Sequence, residues 1–228
     1  MAKATGASRP LSLPKVKPDA RNKIDGRALL ASLKPESAKL VFLDGQYRGI
    51  MDKQRYGNEG ARQKGRAKLP QMTDADMTEF VDGVVRAMKP GAHLVLWIDK
   101  FTSASGRHLL WWDQHVGTLH LVDKIVWNKI APGMGRRTRC YYEEALIFQK
   151  EPKRAKGIWT DRGIMDCWPE GTDRSLHPHA KPTQLTYRLI RCLTKTGDLV
   201  IDPCAGGFGV LAACQASGRR FVGGDLLG

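Results

Sequence analysis

Apolar residues recur along this chain in two rhythms. Short runs of three to seven residues, at Leu40–Leu43, His93–Ile98, Leu121–Trp127, Glu144–Phe148, Leu199–Ile201 and Arg220–Gly224, have the length and branching of buried strands. Between them, Met77, Phe80, Val81, Val84, Val85 and Met88 repeat at helical spacing behind an N-cap at Thr73. Asp74 and Asp76 fall in the first turn of that helix, and Lys89, Pro90 and Gly91 stop it. Leu109–Val116, carrying Trp111 and Trp112, reads as a further helix, as do Thr183–Leu193 behind Pro182 and Val210–Ala216. Strands alternating with helices predict an α/β fold with a doubly wound, mostly parallel sheet, which binds its ligands at the carboxyl ends of the strands.

Three stretches break these rhythms. Residues 1–24 mix Pro, Lys, Ser and Ala with few large apolar groups, so a flexible basic tail is expected, with a single domain over residues 25–228. Residues 48–71 form a long polar loop rich in Gly, Lys and Arg, and residues 149–176 form a mixed-charge insert. The net charge of +14 is uneven: residues 1–72 hold sixteen Lys and Arg against six Asp and Glu. Such clustering suits a phosphate backbone as partner, and it equally suits a surface charged for solubility. The five cysteines form no CxxC pair, which speaks against a disulfide framework and a zinc site. No apolar run approaches about 18 residues and no signal-like segment leads the chain, so a cytoplasmic protein without a membrane anchor is expected.

Two motifs carry the chemistry. LVIDPCAGGFG at residues 199–209 is a buried strand that ends in Asp202 and opens into small residues before a helix. A second strand ends nearby at Asp225. Small residues let backbone approach a nucleotide-like cofactor, and an acid at the second strand's tip suits a ribose; an ordinary strand-to-helix turn has the same look. LDGQY at residues 43–47 likewise ends a strand in an acid, Asp44, followed by Gly45, Gln46 and Tyr47.

These two motifs, with HPHAKPTQL at 177–185 between them, resemble the S-adenosylmethionine-dependent amino-methyltransferases of DNA in their beta-class order, with the catalytic motif ahead of the cofactor motif. KPGAHLVLW, IVWNK and EEALIFQK at 89–97, 125–129 and 143–150 extend the resemblance across residues 40–225. It implies a Rossmann-like methyltransferase fold. The family's cofactor motif falls on Asp202, Pro203, Cys204, Ala205, Gly206, Gly207 and Phe208, where Cys204 replaces an aromatic and Phe208 a glycine whose backbone freedom Gly209 is expected to supply. Asp225 is implied at the ribose, and Lys181, Pro182 and Thr183 at the methionine end. The chain ends three residues after Asp225, without the helix that usually follows the second strand in the family, so either part of the adenosine pocket is expected from elsewhere or the terminus is truncated.

The family's catalytic Asp-Pro-Pro-aromatic motif falls on Asp44, Gly45, Gln46 and Tyr47. The reaction needs two acceptors on the exocyclic amine of the base, one from the Asp44 side chain and one from the carbonyl of residue 45, so that the nitrogen lone pair leaves conjugation. Tyr47 is implied as the stacking partner of a base flipped out of double-stranded DNA. Gly at position 45 costs about 1 kcal/mol of stiffness relative to proline. Asp in the first position favours N6 of adenine by analogy with the family. N4-cytosine, RNA, or a catalytically degenerate DNA-binding module remain alternatives.

Duplex contacts are expected from Arg48, Lys53, Arg55, Arg62, Lys64 and Arg66 in the first loop, and from Lys150, Lys153, Arg154, Lys156 and Arg162 in the insert. Trp159 or Trp168 would serve as a wedge, or else cover a core edge. With small loops, a short or relaxed target is expected. Trp111 and Trp112 are either an interface patch of a homodimer or core. No metal is expected: His177 and His179 have no carboxylate or cysteine at ligand spacing.

Overall fold

A computed structural model describes residues 15–45, 72–133, 137–173 and 179–228. The elements are α1 (Gly26–Ser32), β1 (Ala38–Leu43), α2 (Asp74–Ala87), β2 (Met88–Ile98), α3 (Lys100–Ser105), a 3₁₀ segment (Arg107–His115), β3 (Leu119–Gly133), β4 (Cys140–Lys150), β5 (Cys167–Pro169), α4 (Thr183–Leu193), β6 (Leu199–Asp202), α5 (Gly209–Ser217) and β7 (Arg220–Gly223). Gln46, Tyr47 and the first-loop residues Arg48, Lys53, Arg55, Arg62, Lys64 and Arg66 lie outside the described residues, as does His177.

The seven strands form one sheet in the order β5-β3-β4-β2-β1-β6-β7. β1 is central and pairs in parallel with β2 and β6, and β6 pairs in parallel with β7. β4 runs against both β2 and β3, which leaves a mixed, mostly parallel sheet. Alternation along the strands sends side chains to two separate cores. Val41, Leu43, Leu94, Leu96 and Phe148 face α1, α2 and the 3₁₀ segment. Leu40, Phe42, Val95, Trp97 and Ile147 face α4 and α5. Burial on both faces explains why the central strands read as continuous apolar runs.

Local rules hold at the helix starts. Thr73 caps α2 with the reciprocal Asp76 bond of a capping box. Pro182 offers no side-chain cap to α4, and Glu170 from the insert supplies one: Oε1 accepts from Gln184 N at 2.8 Å and Oε2 from Leu185 N at 3.0 Å. The dimer-patch expectation for Trp111 and Trp112 is corrected, since both are buried. Trp111 Nε1 donates to Asp74 Oδ1 at 2.9 Å, and Trp112 packs edge-on against Phe148.

Residues 15–24, expected as part of a flexible tail, are instead tied to the sheet. Residues 15–24 run beside β7 and cover its edge. Asp19 N donates to Phe221 O at 2.8 Å, Ile24 N to Asp225 O at 3.0 Å, and Asp225 N to Asn22 O at 3.0 Å. Backbone pairing with an open sheet edge needs no apolar side chains, so composition gives no sign of it. Asn22 anchors this segment: Oδ1 accepts from Lys17 N at 2.8 Å, and Nδ2 donates to Gly223 O at 2.9 Å and to Lys17 O at 3.0 Å. An Asn22→Ala variant should lose about 2 kcal/mol of stability, because buried carbonyls are left unpaired. Urea unfolding checks it: the midpoint should fall, while Asp113→Ala, at an exposed position, should leave it in place.

Candidate active site

A parallel sheet delivers the carboxyl ends of its strands to one edge, and acids gather there. Asp225 follows β7, Asp202 ends β6 and Asp44 follows β1. Glu143 lies on β4, opposite Trp127 of β3. β1 and β6 are neighbours in register, Val41 opposite Ile201, so the two chemistry-bearing motifs open side by side.

One ammonium holds this edge together. Lys181 Nζ lies 3.0 Å from Asp44 Oδ2 and 2.7 Å from Glu143 Oε2, above the ring of Trp97. Glu143 also bonds Lys129, whose ammonium sits over Trp127. The order is therefore Asp44, Lys181, Glu143, Lys129, with two tryptophans in edge-to-face contact beneath. Burial alone would raise the Glu143 carboxyl, but Lys181 and Lys129 overcome it and hold the group down at about 2. Asp44 goes the other way. Desolvation raises its pKa, Lys181 opposes the rise, and the charge of Glu143 adds to it. Lys181 itself is held firmly protonated by the two carboxylates against the cost of burial.

On the other side of Asp44, Asp202 is buried, and its carboxyl accepts from Cys204 N at 3.2 Å. Desolvation, with Asp44 and Asp225 nearby, raises its carboxyl to about 8 against the pull of that N–H. A buried carboxyl beside two other acids fits a cationic ligand, whose charge would restore the ionised form. The turn Pro203–Phe208 leads into α5 and is tied to the exit of β7, where Ala205 N donates to Gly224 O at 3.0 Å. Burial also pushes the Cys204 thiol well up, so it is an inert wall.

Two positions that depart from the family motifs have physical explanations. Phe208, not Gly209, takes the left-handed turn, at φ 59°, which corrects the expectation for Gly209. Its buried ring stands edge-on to Phe221 with the Arg21 guanidinium 5.1 Å from its centroid, and that packing offsets a strain of roughly 1–2 kcal/mol. Gly45 is buried, and a Cβ there would come within 2.6 Å of Met77 Sδ and 2.9 Å of Met72 Sδ.

Sequence reasoning missed the N-terminal wall of the site. Lys23 pairs with Asp225, and Asp25 caps α1 by accepting from Arg27 N at 2.8 Å. A Cβ on Gly26 would stand 2.4 Å from Pro203 O, so α1 abuts the glycine-rich turn itself. The sequence signal for it is slight: Asp25, then Gly26 and Arg27, then Ala28, Leu29 and Leu30.

Several expected contacts fall elsewhere. Of Lys181, Pro182 and Thr183, the structure brings Lys181 to Asp44, while Pro182 is buried and Thr183 Oγ1 bonds Glu170. Lys150 is corrected as a duplex contact: its ammonium donates to Val85 O at 2.9 Å and Met88 O at 2.8 Å, at the end of α2. Lys150, Lys153 and Arg154 stand at the opposite edge of the sheet from Asp44, since neighbouring Gln149 pairs with His93 at the start of the buried run of β2. Lys156 and Arg162 flank Thr160, whose hydroxyl bonds Cys192 O at the far end of α4. Trp168 is buried with Nε1 on Glu170, and Trp159 donates to Asp161 O, so neither is a wedge.

Comparison with known proteins agrees with this geometry. The family model described as DNA methylase matches residues 38–227. The Type II methyltransferase M.HhaII of Haemophilus parahaemolyticus is 41% identical over 208 residues, covering 91% of this chain and 90% of that protein. Among solved structures, the cytosine-N4-specific PvuII DNA methyltransferase is similar with a TM-score of 0.66 at 18% identity, covering 91% of this chain and 81% of its own. M1.HpyAVI in complex with S-adenosylmethionine has a TM-score of 0.58 at 20% identity, over 90% of this chain and 92% of that one.

Replacing Lys181 by Met should destabilise the protein in a pH-dependent way. Glu143 is depressed from 4.5 to about 2, so its stabilisation is present above pH 4.5 and is lost as pH falls toward 2. The variant should therefore lie roughly 2 kcal/mol below the parent at pH 7, and the gap should narrow progressively below pH 4.5. Thermal melts across that range check the sign.

Proposed function

Because the chain belongs to the DNA methylase family, we propose that it methylates the exocyclic N6 of adenine in double-stranded DNA, at a short or relaxed target, with the base flipped out of the stack. S-adenosylmethionine is the cofactor, and when bound it supplies an electrophilic methyl group on a sulfonium. The observation that carries the reading is the placement of Asp44, held by Lys181, on the strand next to the one that ends in Asp202.

Lys181 fixes one oxygen of the Asp44 carboxylate, and the other receives an N–H of the target amine. The carbonyl of Gly45 receives the second N–H, which turns the nitrogen lone pair toward the methyl group. Once the bound cofactor had supplied its methyl group, the amine nitrogen would carry positive charge and would shed a proton. Asp44, whose pKa desolvation raises, would accept it. No stronger base is needed, because the neutral amine attacks through its lone pair and becomes acidic only as it gains positive charge. Asp202 and Asp225 take the cofactor side, with Asn22–Gly26 as the wall beyond. Adenine is preferred over cytosine on the Asp in the first catalytic position.

An Asp44→Ala variant should lose at least about a hundredfold in methyl transfer, with cofactor affinity within threefold of the parent. Transfer of labelled methyl to duplex DNA, followed by digestion to nucleosides, measures the rate and names the base. Label on cytosine would replace the adenine assignment, and parental activity in the variant would remove Asp44 from catalysis. Cofactor binding should tighten between pH 6 and 7.5, a window in which the ligand's α-amine is still largely charged. Asp202, at about 8 in the free protein, must lose its proton to meet a cation. Calorimetry in buffers of different ionisation heat should register proton release, and Asp202→Asn should abolish it.

A further inference from the structure

β3 and β4 do not stop at the catalytic edge. Trp127 faces Glu143 at the level of the Lys181 bridge, and the pairing then continues outward through Asn128 opposite Tyr142 to Gly133 opposite Cys140. The three residues Cys140–Tyr142 carry the hairpin about 10 Å past the sheet edge. Beyond that edge, among the described residues, the hairpin is largely exposed on both faces. Ile130 is 62% exposed and Tyr141 45%, and Arg137 and Arg139 are exposed beside them.

Isolated hairpins are marginally stable, yet this one is braced. Lys100 Nζ, at the start of α3, donates to Thr138 Oγ1 at 2.8 Å, and Ile130 N donates to Asn128 Oδ1 at 2.9 Å. Ile130 sits at φ 64°, in the left-handed region that a β-branched residue rarely enters, where the strand pairing shifts register. The sequence from Lys129 to Tyr142 contains four basic residues and no acid. Alternation places Tyr141 on the same face as Glu143, hence on the side of Lys181 and Asp44.

We propose that this hairpin is the arm that grips duplex DNA beside the target base, with Arg137 and Arg139 on the phosphates and Tyr141 and Ile130 against the exposed base edges. The inference rests on the methyltransferase reading. It puts the duplex contact on the catalytic edge, where an extruded base must arrive, whereas Lys153 and Arg154 stand at the opposite edge. Cation-rich, acid-free chain at that place is complementary to a polyanion, and exposed apolar side chains next to it suit the unstacked step that base extrusion leaves.

Fluorescence anisotropy of a labelled duplex, from 50 to 200 mM salt, tests the arm with two paired variants. Arg137→Ala with Arg139→Ala should bind at least tenfold more weakly at 150 mM salt. Its log–log salt slope should be shallower by about 1.8, the loss of two phosphate contacts. Lys153→Ala with Arg154→Ala should stay within twofold of the parent in both quantities, and S-adenosylmethionine binding by calorimetry should be unchanged in either variant. Tyr141→Ala should weaken binding without moving the slope. If the parent methylates duplex DNA and the arm variant matches it in affinity and slope, or the Lys153 and Arg154 variant loses as much, the arm assignment is overturned while the enzymatic reading stands. If the parent neither binds nor methylates duplex, both fall together.

Discussion

The shared ammonium of Lys181 answers a problem that the fold itself creates. Parallel strands send all their carboxyl ends to one edge, and here that edge collects Asp44, Glu143, Asp202 and Asp225. Acids that close would drive one another toward protonation, and an orienting carboxylate must keep its charge. Lys181 and Lys129 balance Asp44 and Glu143, and Asp202 lies beyond them with its carboxyl raised by burial and by the neighbouring acids. In the proposed reading the edge is thus neutralised where the base would approach and acidic where a cation would bind.

Delivering Lys181 to its place is the structural task of the insert. Pro182 cannot cap α4, and Glu170 does so from outside while its own carbonyl receives Trp127 Nε1 at 2.7 Å. β5, three residues long, fixes Glu170 by pairing with β3 at Trp127 and Asn128. The same strand therefore carries the tryptophan under Lys129, the anchor for the cap of α4 and the root of the basic hairpin. A shift in β3 would reach Asp44 through two routes, one by way of Glu143 and one by way of Glu170.

Much of this was legible in the sequence, for reasons that separate readable from unreadable features. β1, β2, β6 and α4 announced themselves because burial on a defined face leaves a periodic trace, and Thr73 announced α2 by a local bond. α1 and β5 were silent, being seven and three residues long. The segment 15–24 was silent because it binds through backbone and through the polar side chains of Asp19 and Asn22, which leave no apolar period. Lys150 looked like a free cation because nothing in a sequence shows where a helix leaves carbonyls unpaired. Lys129 and Glu143 left a trace of a kind, as oppositely charged residues just beyond the facing ends of two predicted strands, but the link from Glu143 to Lys181 spans 38 residues and exists only in the fold.

The replacement of two prolines after Asp44 shows how a site can be stiffened in another way. Proline restricts a backbone by its own ring; Gly45 has no such restraint, and alone it would let the carbonyl acceptor wander. Its backbone instead lies buried against Met77 and Met72, so close that a side chain there would meet sulfur. Met77 belongs to α2, a helix fixed by its capping box, and Lys181 clamps the neighbouring Asp44 from the opposite side. Restraint that the family motif writes into two adjacent residues is here distributed over a helix, a lysine and the packing between them. The glycine is thus a consequence of that packing as much as a departure from the motif, because a proline at 45 would have to displace the methionines that hold the segment in place.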